Sequence, residues 1–209
     1  MIALPSLDRV GPHRLLFVMA TDHEYGPALR ARIRPLITGV GPIEAAAGTA
    51  IGLAALEAAG ALPDAVVSLG SAGSRRLPMG GVHQVAAVGW RDIDASALGF
   101  PRGVTPFASF AAIAALPTPL ADVPLASLST GSDIVVGDRY AAIDADLVDM
   151  ETYAVWRACE RFGVPLIGLR GVSDGAAEGE HLDWTALLGV LDERLATAVD
   201  RLASVSLIA

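Results

Sequence analysis

Residues 42–69 read PIEAAAGTAIGLAALEAAGALPDAVVSL, and the fold class turns on how that stretch divides. Pro42 suits the first turn of a helix, where its missing N–H has no partner to lose, and Ala, Leu, Ile and Glu follow with little β-branching. The segment 42–59 therefore reads as a helix. Residues 65–69 form a short apolar run of the kind shown by a strand buried on both faces. A run of the same character lies upstream at 15–20 and a looser one downstream at 166–172, so 42–59 has the place of a crossover helix between two strands. Further on, Asp149 can cap a helix over 151–162 that Gly163 and Pro165 end, and Asp183 can cap a C-terminal helix running through Leu202. Strand and helix alternate, which predicts an α/β fold: a mainly parallel sheet with helices on both faces, and a ligand site beyond the carboxyl ends of the strands. The segment 99–124, rich in Pro and Ala, reads as a mobile loop with one short helix.

With 209 residues and no shift of composition along the chain, a single domain over 1–209 is expected. The formal charge of −8 and pI of about 4.9 provide no basic surface to neutralise a run of phosphates, which argues against a nucleic-acid partner. Cys159 is the single cysteine, so no internal disulfide forms and the cytoplasm is the expected compartment. No apolar stretch reaches membrane-spanning length, and residues 1–12 lack the basic-then-apolar pattern of an export signal. A mean hydropathy of +0.50 implies apolar surface in excess of what one core needs, which predicts a homodimer.

Four polar or glycine-rich clusters follow the expected strands: Thr21-Asp22-His23-Glu24, Gly70-Ser71-Ala72-Gly73, Asp149-Met150-Glu151 and Ser173-Asp174. Gly70 and Gly73 would let backbone approach a ligand, and the amides around Ser71 and Ala72 could donate to it. Read singly, each cluster also fits a plainer role, as a tight turn or as acidic residues in a helix's first turn. Gly39-Val40-Gly41 lacks the third glycine of a dinucleotide-binding turn and fits the approach to Pro42. His13, His23, His83 and His181 lie on separate segments without paired ligand spacing, so no metal site is expected.

Taken together, Gly70-Ser71-Ala72-Gly73 after a strand, Val148-Asp149-Met150-Glu151 opening a helix and Arg170-Gly171-Val172-Ser173-Asp174 closing a strand stand in the order found in the nucleoside phosphorylase/nucleosidase superfamily. The likeness runs from about Leu15 to the C-terminal helix, and the branch that the chain resembles is the methylthioadenosine/S-adenosylhomocysteine nucleosidases. The resemblance implies a three-layer α/β/α sandwich with a central mixed, mainly parallel sheet. It implies hydrolysis of the N-glycosidic bond of an adenine nucleoside, a small-molecule partner and no cofactor. Glu24 would activate the attacking water, with Asp22 ranked second for that role, since a carboxylate both accepts a proton and favours the positive charge developing on the ribosyl ring. Glu151 would hold the vicinal ribose hydroxyls and Met150 would pack beneath the sugar. Asp174, oriented by Ser173, would meet purine N7 and supply the proton that lets adenine leave. Ser71, Ala72 and Gly73 would border the substrate, and in the segment 128–135 Ile134 would cover one purine face while the Val135 main chain reads the base edge. The segment 92–107 resembles one that covers the neighbouring subunit's substrate in family dimers, with Leu98 and Phe107 as possible lid residues.

The chain departs from the family pattern at three points. Asp149 stands where Glu is usual, which makes helix capping its expected role; Ile134 replaces a stacking aromatic; and only about fifteen residues separate Glu24 from Gly39, where the family has a strand hairpin. Phosphorolysis would need cations near the anomeric carbon, and no Arg immediately precedes Gly70-Ser71-Ala72-Gly73. A phosphorylase, a hydrolase of another nucleoside such as futalosine or an adenosyl-bearing lipid precursor, and a nucleoside-binding protein without turnover are the competing readings.

Overall fold

The apolar runs at 15–20, 65–69 and 166–172 become neighbouring strands. The structure, a computed structural model, describes residues 4–175 and 180–207, the side chains of 180–183 excepted. In chain order the strands are β1 (Asp8–Val10), β2 (His13–Met19), β3 (Leu36–Ile37), β4 (Ala65–Gly73), β5 (Val82–Trp90), β6 (Ile113–Ala115), β7 (Leu125–Thr130), β8 (Leu147–Asp149) and β9 (Leu166–Asp174). The helices are α1 (Pro27–Arg30), α2 (Pro42–Ala58), α3 (Thr152–Arg161) and α4 (Leu188–Arg201). β2, β4 and β9 lie side by side and parallel.

Alternation along these strands sends successive side chains to opposite faces. Leu16 and Val18 of β2 and Val66 of β4 pack with Leu53 and Leu56 of α2 and Val155 of α3, whereas Leu15, Phe17 and Met19 pack with Leu195 and Val199 of α4. Both long crossover helices end in the same way. Gly60 and Gly163 adopt φ of 65° and 64°, and the following amides, Ala61 and Val164, return to the carbonyls of Leu56 and Cys159 at 2.8 and 3.1 Å. This double turn satisfies helix-end carbonyls and requires a residue at ease in the left-handed region.

The sheet is mixed, with helices against both faces, but it is not a flat middle layer. β4 pairs β8, β8 pairs β7, β7 pairs β5, β5 pairs β9 and β9 pairs β4, so five strands close into a ring. The sheet expected as the middle layer of the sandwich that the resemblance implies is modified by this closure. β4 and β8 run antiparallel yet meet only through Gly73 and Val148, each at or next to the end of its strand. Two oppositely directed sets of strands thus bring their carboxyl ends together, where a flat sheet would hold them at opposite edges.

Other expectations are corrected locally. The segment 99–124 contains the strand β6 and no helix; the nearest helical turn is the 3-10 turn Ser96–Leu98. The C-terminal helix begins at Leu188 after a 3-10 segment, Glu180–Leu187, so Asp183 is not adjacent to its start, and the Asp183 side chain lies outside the described residues. Among the described residues no helix is long and apolar enough to cross a membrane.

Candidate active site

After β2 the chain makes a 3-10 turn over Asp22–Glu24, opened by Thr21, whose hydroxyl accepts from the His23 amide at 3.3 Å. The turn directs Glu24 toward the end of β4. Its Oε1 accepts from the Ser71 amide at 2.8 Å and from Ser71 Oγ at 2.5 Å. A Cβ at position 70 would stand 3.3 Å from Glu24 Oε2, so glycine keeps that approach open. Asp22, the other carboxylate of the turn, is 73% exposed and lies 3.9 Å from Arg30; His23 is exposed.

At the start of α3 two acidic residues have different work. Asp149 is buried and accepts from the Thr152 amide at 3.0 Å and from Thr130 Oγ1 at 2.6 Å; it also accepts from the Thr152 hydroxyl and from Arg170 Nε, 3.1 Å away. Arg170 is buried too and binds Ser68 through its carbonyl and its hydroxyl. This network fixes the first turn of α3 to β9. Glu151, two residues on, faces the cavity, and its Oε1 accepts from the Gly41 amide at 2.8 Å. The Gly39-Val40-Gly41 turn therefore serves as a donor to Glu151. Burial, with Asp149 and more weakly Glu24 adding negative charge, pushes the Glu151 carboxyl up to about 7, against the opposing pull of the Gly41 amide and Arg170.

β9 delivers two adjacent side chains to one place. Its pairing with β4 passes from Ala72 with Val172 to Gly73 with Asp174, leaving Ser173 as a bulge. A bulge breaks the alternation, so neighbouring residues can face the same way, and both Ser173 and Asp174 line the cavity. Ser173 Oγ donates to Asp174 Oδ1 at 2.6 Å. A Cβ at Gly73 would fall 2.3 Å from the Tyr140 hydroxyl and 3.0 Å from Asp174 Oδ2, which is why that position has no side chain.

The remaining wall comes from the loop after β7. Ile134 is 62% exposed and Val135 is buried. Among the described residues no hydrogen bond occupies the Val135 main chain, whereas the Asp133 carbonyl accepts from Arg91 at 2.7 Å and the Ile134 carbonyl from Arg139 at 3.1 Å. A cavity of about 260 Å³ joins these pieces. It is lined by Glu24, Ser71, Ala72, Gly73, Ile134, Val135, Met150, Glu151, Ser173 and Asp174, the residues assigned a catalytic or substrate-binding role from the sequence, but not by Asp22, the second candidate base. It is also lined by Arg91, Asp133 and Trp184, which the sequence reading missed. Trp184 follows a segment with no regular periodicity, and Arg91 is an isolated cation after a strand that was not foreseen; neither carries a local signal. Leu98 and Phe107 do not line the cavity and are 73% and 93% exposed. Among the described residues no group of three or more His, Cys, Asp or Glu is placed to hold a metal.

Comparison with known proteins bears on the family and the fold. The family model of the phosphorylase superfamily matches residues 135–207. The 5′-methylthioadenosine/S-adenosylhomocysteine nucleosidase of Actinobacillus succinogenes is 32% identical over 185 residues, 77% of this chain and 78% of that protein. That of Haemophilus influenzae is 32% identical over 158 residues, 67% of this chain and 66% of that protein. Among solved structures, a nucleosidase of the same name from Colwellia psychrerythraea in complex with adenine superposes with a TM-score of 0.76 at 17% identity, over 96% of this chain and 98% of that one. Futalosine hydrolase of Helicobacter pylori superposes with a TM-score of 0.72 at 20% identity, over 88% of this chain and 94% of that one.

Proposed function

The chain belongs to the 5′-methylthioadenosine/S-adenosylhomocysteine nucleosidases, and from that premise we propose how its own residues carry out the reaction. It is an N-glycosidic hydrolase acting on adenine nucleosides. The observation that carries the assignment of roles is the convergence of three carboxylates, Glu24, Glu151 and Asp174, on one cavity from three separate strand ends.

Water attacks the anomeric carbon as the bond from C1′ to N9 breaks. Glu24, held by Ser71, takes the proton from that water, and its charge lies close to the cation developing on the ribosyl ring. Glu151 accepts from the two ribose hydroxyls, and Met150 packs under the sugar. Asp174 gives a proton to N7, so that adenine departs neutral; the Ser173 hydroxyl bonded to Oδ1 orients the carboxyl so that Oδ2 carries that proton. Ser71, Ala72 and Gly73 border the substrate. The main-chain donor and acceptor of Val135 read the base edge, and Ile134 covers one purine face in place of an aromatic ring.

Hydrolysis is favoured over phosphorolysis by the state of Arg91. It is the one cation among the described residues lining the cavity, and both its terminal nitrogens are already bonded to protein oxygens. The proposal extends to a single domain over 1–209, with α2 and α3 as one outer layer, α1 and α4 as the other and the closed ring of strands between them. It extends also to a homodimer, supported by the apolar residues exposed on α2, and to the cytoplasm, supported by the lone buried thiol of Cys159.

The test is release of free adenine from methylthioadenosine and S-adenosylhomocysteine, with and without phosphate. The expected result is phosphate-independent release, reduced at least about 100-fold in Glu24→Gln, the range for loss of a general base. Formation of a ribose 1-phosphate, or full activity in the variant, would overturn the assignment.

A further inference from the structure

Arg91 lies at the end of β5, and the reaction as described has no use for it. Its side chain is 13% exposed, and its guanidinium gathers three strand ends. Nη1 donates to the Ser129 carbonyl at 2.6 Å and the Asp149 carbonyl at 3.1 Å; Nη2 donates to the Asp133 carbonyl at 2.7 Å and to Asp133 Oδ1 at 3.2 Å. The Asp149 carbonyl also accepts from the Gly131 amide at 3.0 Å. Asp149 leads directly into Met150 and Glu151, which hold the sugar, and Asp133 leads into Ile134 and Val135, which face the base. The neighbouring Asp92 grips the same loop, accepting from the Ser132 amide and hydroxyl at 2.6 Å each.

We propose that Arg91 is a positioning residue that fixes the base-reading loop against the sugar-binding segment and thereby sets the choice of purine. This rests on the reading of the cavity as a nucleoside site. Adenine offers an amino donor beside an acceptor at N1, whereas hypoxanthine offers the reverse order, so a fixed main-chain donor and acceptor at Val135 accepts one and rejects the other. Such rejection is strong only while the reading groups are held in place, because a mismatched base then leaves them unpaired. A planar fork with several donors can hold three carbonyls at once, which a lysine ammonium of comparable charge does not reproduce. Gly131 belongs to the same device: a Cβ there would stand 2.4 Å from Arg91 Nε and 2.5 Å from Cζ.

The experiment compares 5′-methylthioadenosine with 5′-methylthioinosine in the wild type, Arg91→Met, Arg91→Lys and Gly131→Ala, with thermal melts to count folded enzyme. The expected result is a preference for the adenine nucleoside in the wild type. In Arg91→Met and Gly131→Ala the preference falls at least tenfold, with KM rising more than kcat falls, and Arg91→Lys does not restore it. An unchanged preference in folded Arg91→Met, or restoration by lysine, overturns the proposal. Titration with free adenine and free hypoxanthine separates this question from turnover. Wild-type preference for adenine, lost in Arg91→Met, upholds the role of Arg91 even if neither nucleoside is cleaved, whereas wild-type enzyme that binds neither base overturns it.

Discussion

Glu151 meets two opposed demands. It is pushed up to about 7, mainly by burial and then by Asp149, so in the folded protein it keeps a proton that the unfolded chain releases near 4.5. Between those values the native state holds more protons than the unfolded state. Its contribution to stability is therefore complete below about 4.5 and is lost as the pH rises through about 7. In the proposed sugar-holding role of Glu151 the sign is opposite, since the ionised carboxylate is the form that offers acceptors to both ribose hydroxyls. Thermal stability is expected to fall between pH 5 and 8 while KM for the nucleoside also falls. Glu151→Gln should flatten both trends, remove about 1–2 kcal/mol of the pH-dependent stability and raise KM roughly tenfold at pH 8. Parallel melting and kinetic series over that range check it; a stability slope unchanged in the variant would place its origin elsewhere.

At the level of elements, the link from β8 and α3 to β9 carries the site. Arg170 and Asp149 form a buried ion pair, 3.1 Å apart, with side chains 2% and 1% exposed. Removing one partner of such a pair leaves the other uncompensated. Arg170→Met is expected to destabilise the fold by about 3–5 kcal/mol, and adding Asp149→Asn should recover part of that loss. Urea denaturation of the single and double variants measures both; a double variant as unstable as the sum of the single changes would show the two to be independent. The elements around this link were unequally legible. β2, α2, β4, α3 and β9 were readable because each strand opens on or contains an apolar run, loosest in β9 with Arg170 inside it, and Pro42 and Gly163 punctuate the helices. β5 and β7 were not, because sequences such as Val82–Trp90, with His83, Gln84 and Gly89 inside, and Leu125–Thr130, with Ser127 and Ser129, carry no uniform signal. Arg91 was invisible for the same reason. Its partners Ser129, Asp133 and Asp149 are distant in sequence, and only the pairing of β5 with β7 and of β7 with β8 brings them to it.

Across the whole molecule, exposed large apolar side chains include two on α2 and two, Leu98 and Phe107, on the segment between β5 and β6. Ile43 and Ile51 stand two turns apart on α2, 79% and 49% exposed, while the opposite face of the helix packs on the core. A helix apolar on all sides wants covering on all sides. Phe107, almost fully exposed, is held at φ of 60°, where a bulky residue is rarely found, with its ring edge-on to Phe100 at 5.4 Å. The exposed isoleucines support the proposed homodimer, with a second copy of the chain seated on α2. Ile43→Glu with Ile51→Glu is expected to give a species of 21.5 kDa in sedimentation where the wild type gives twice that mass. A wild type that sediments as the smaller species would remove the dimer from the description.

The bulge at Ser173 has a bearing on how the enzyme can change. Which face of β9 a residue occupies is a parity, and the bulge resets it once, one residue before Asp174. Substitutions along the strand leave the count intact. Deletion of any one residue from 167 to 172 would keep Ser173 and Asp174 in the chain while turning the acid toward the wrong side. Gains and losses of length are thus barred from β9, yet the long loop between β5 and β6 can absorb them. A library of single-residue deletions should trace the active site more sharply than one of substitutions, since in this strand chemistry is kept by arithmetic.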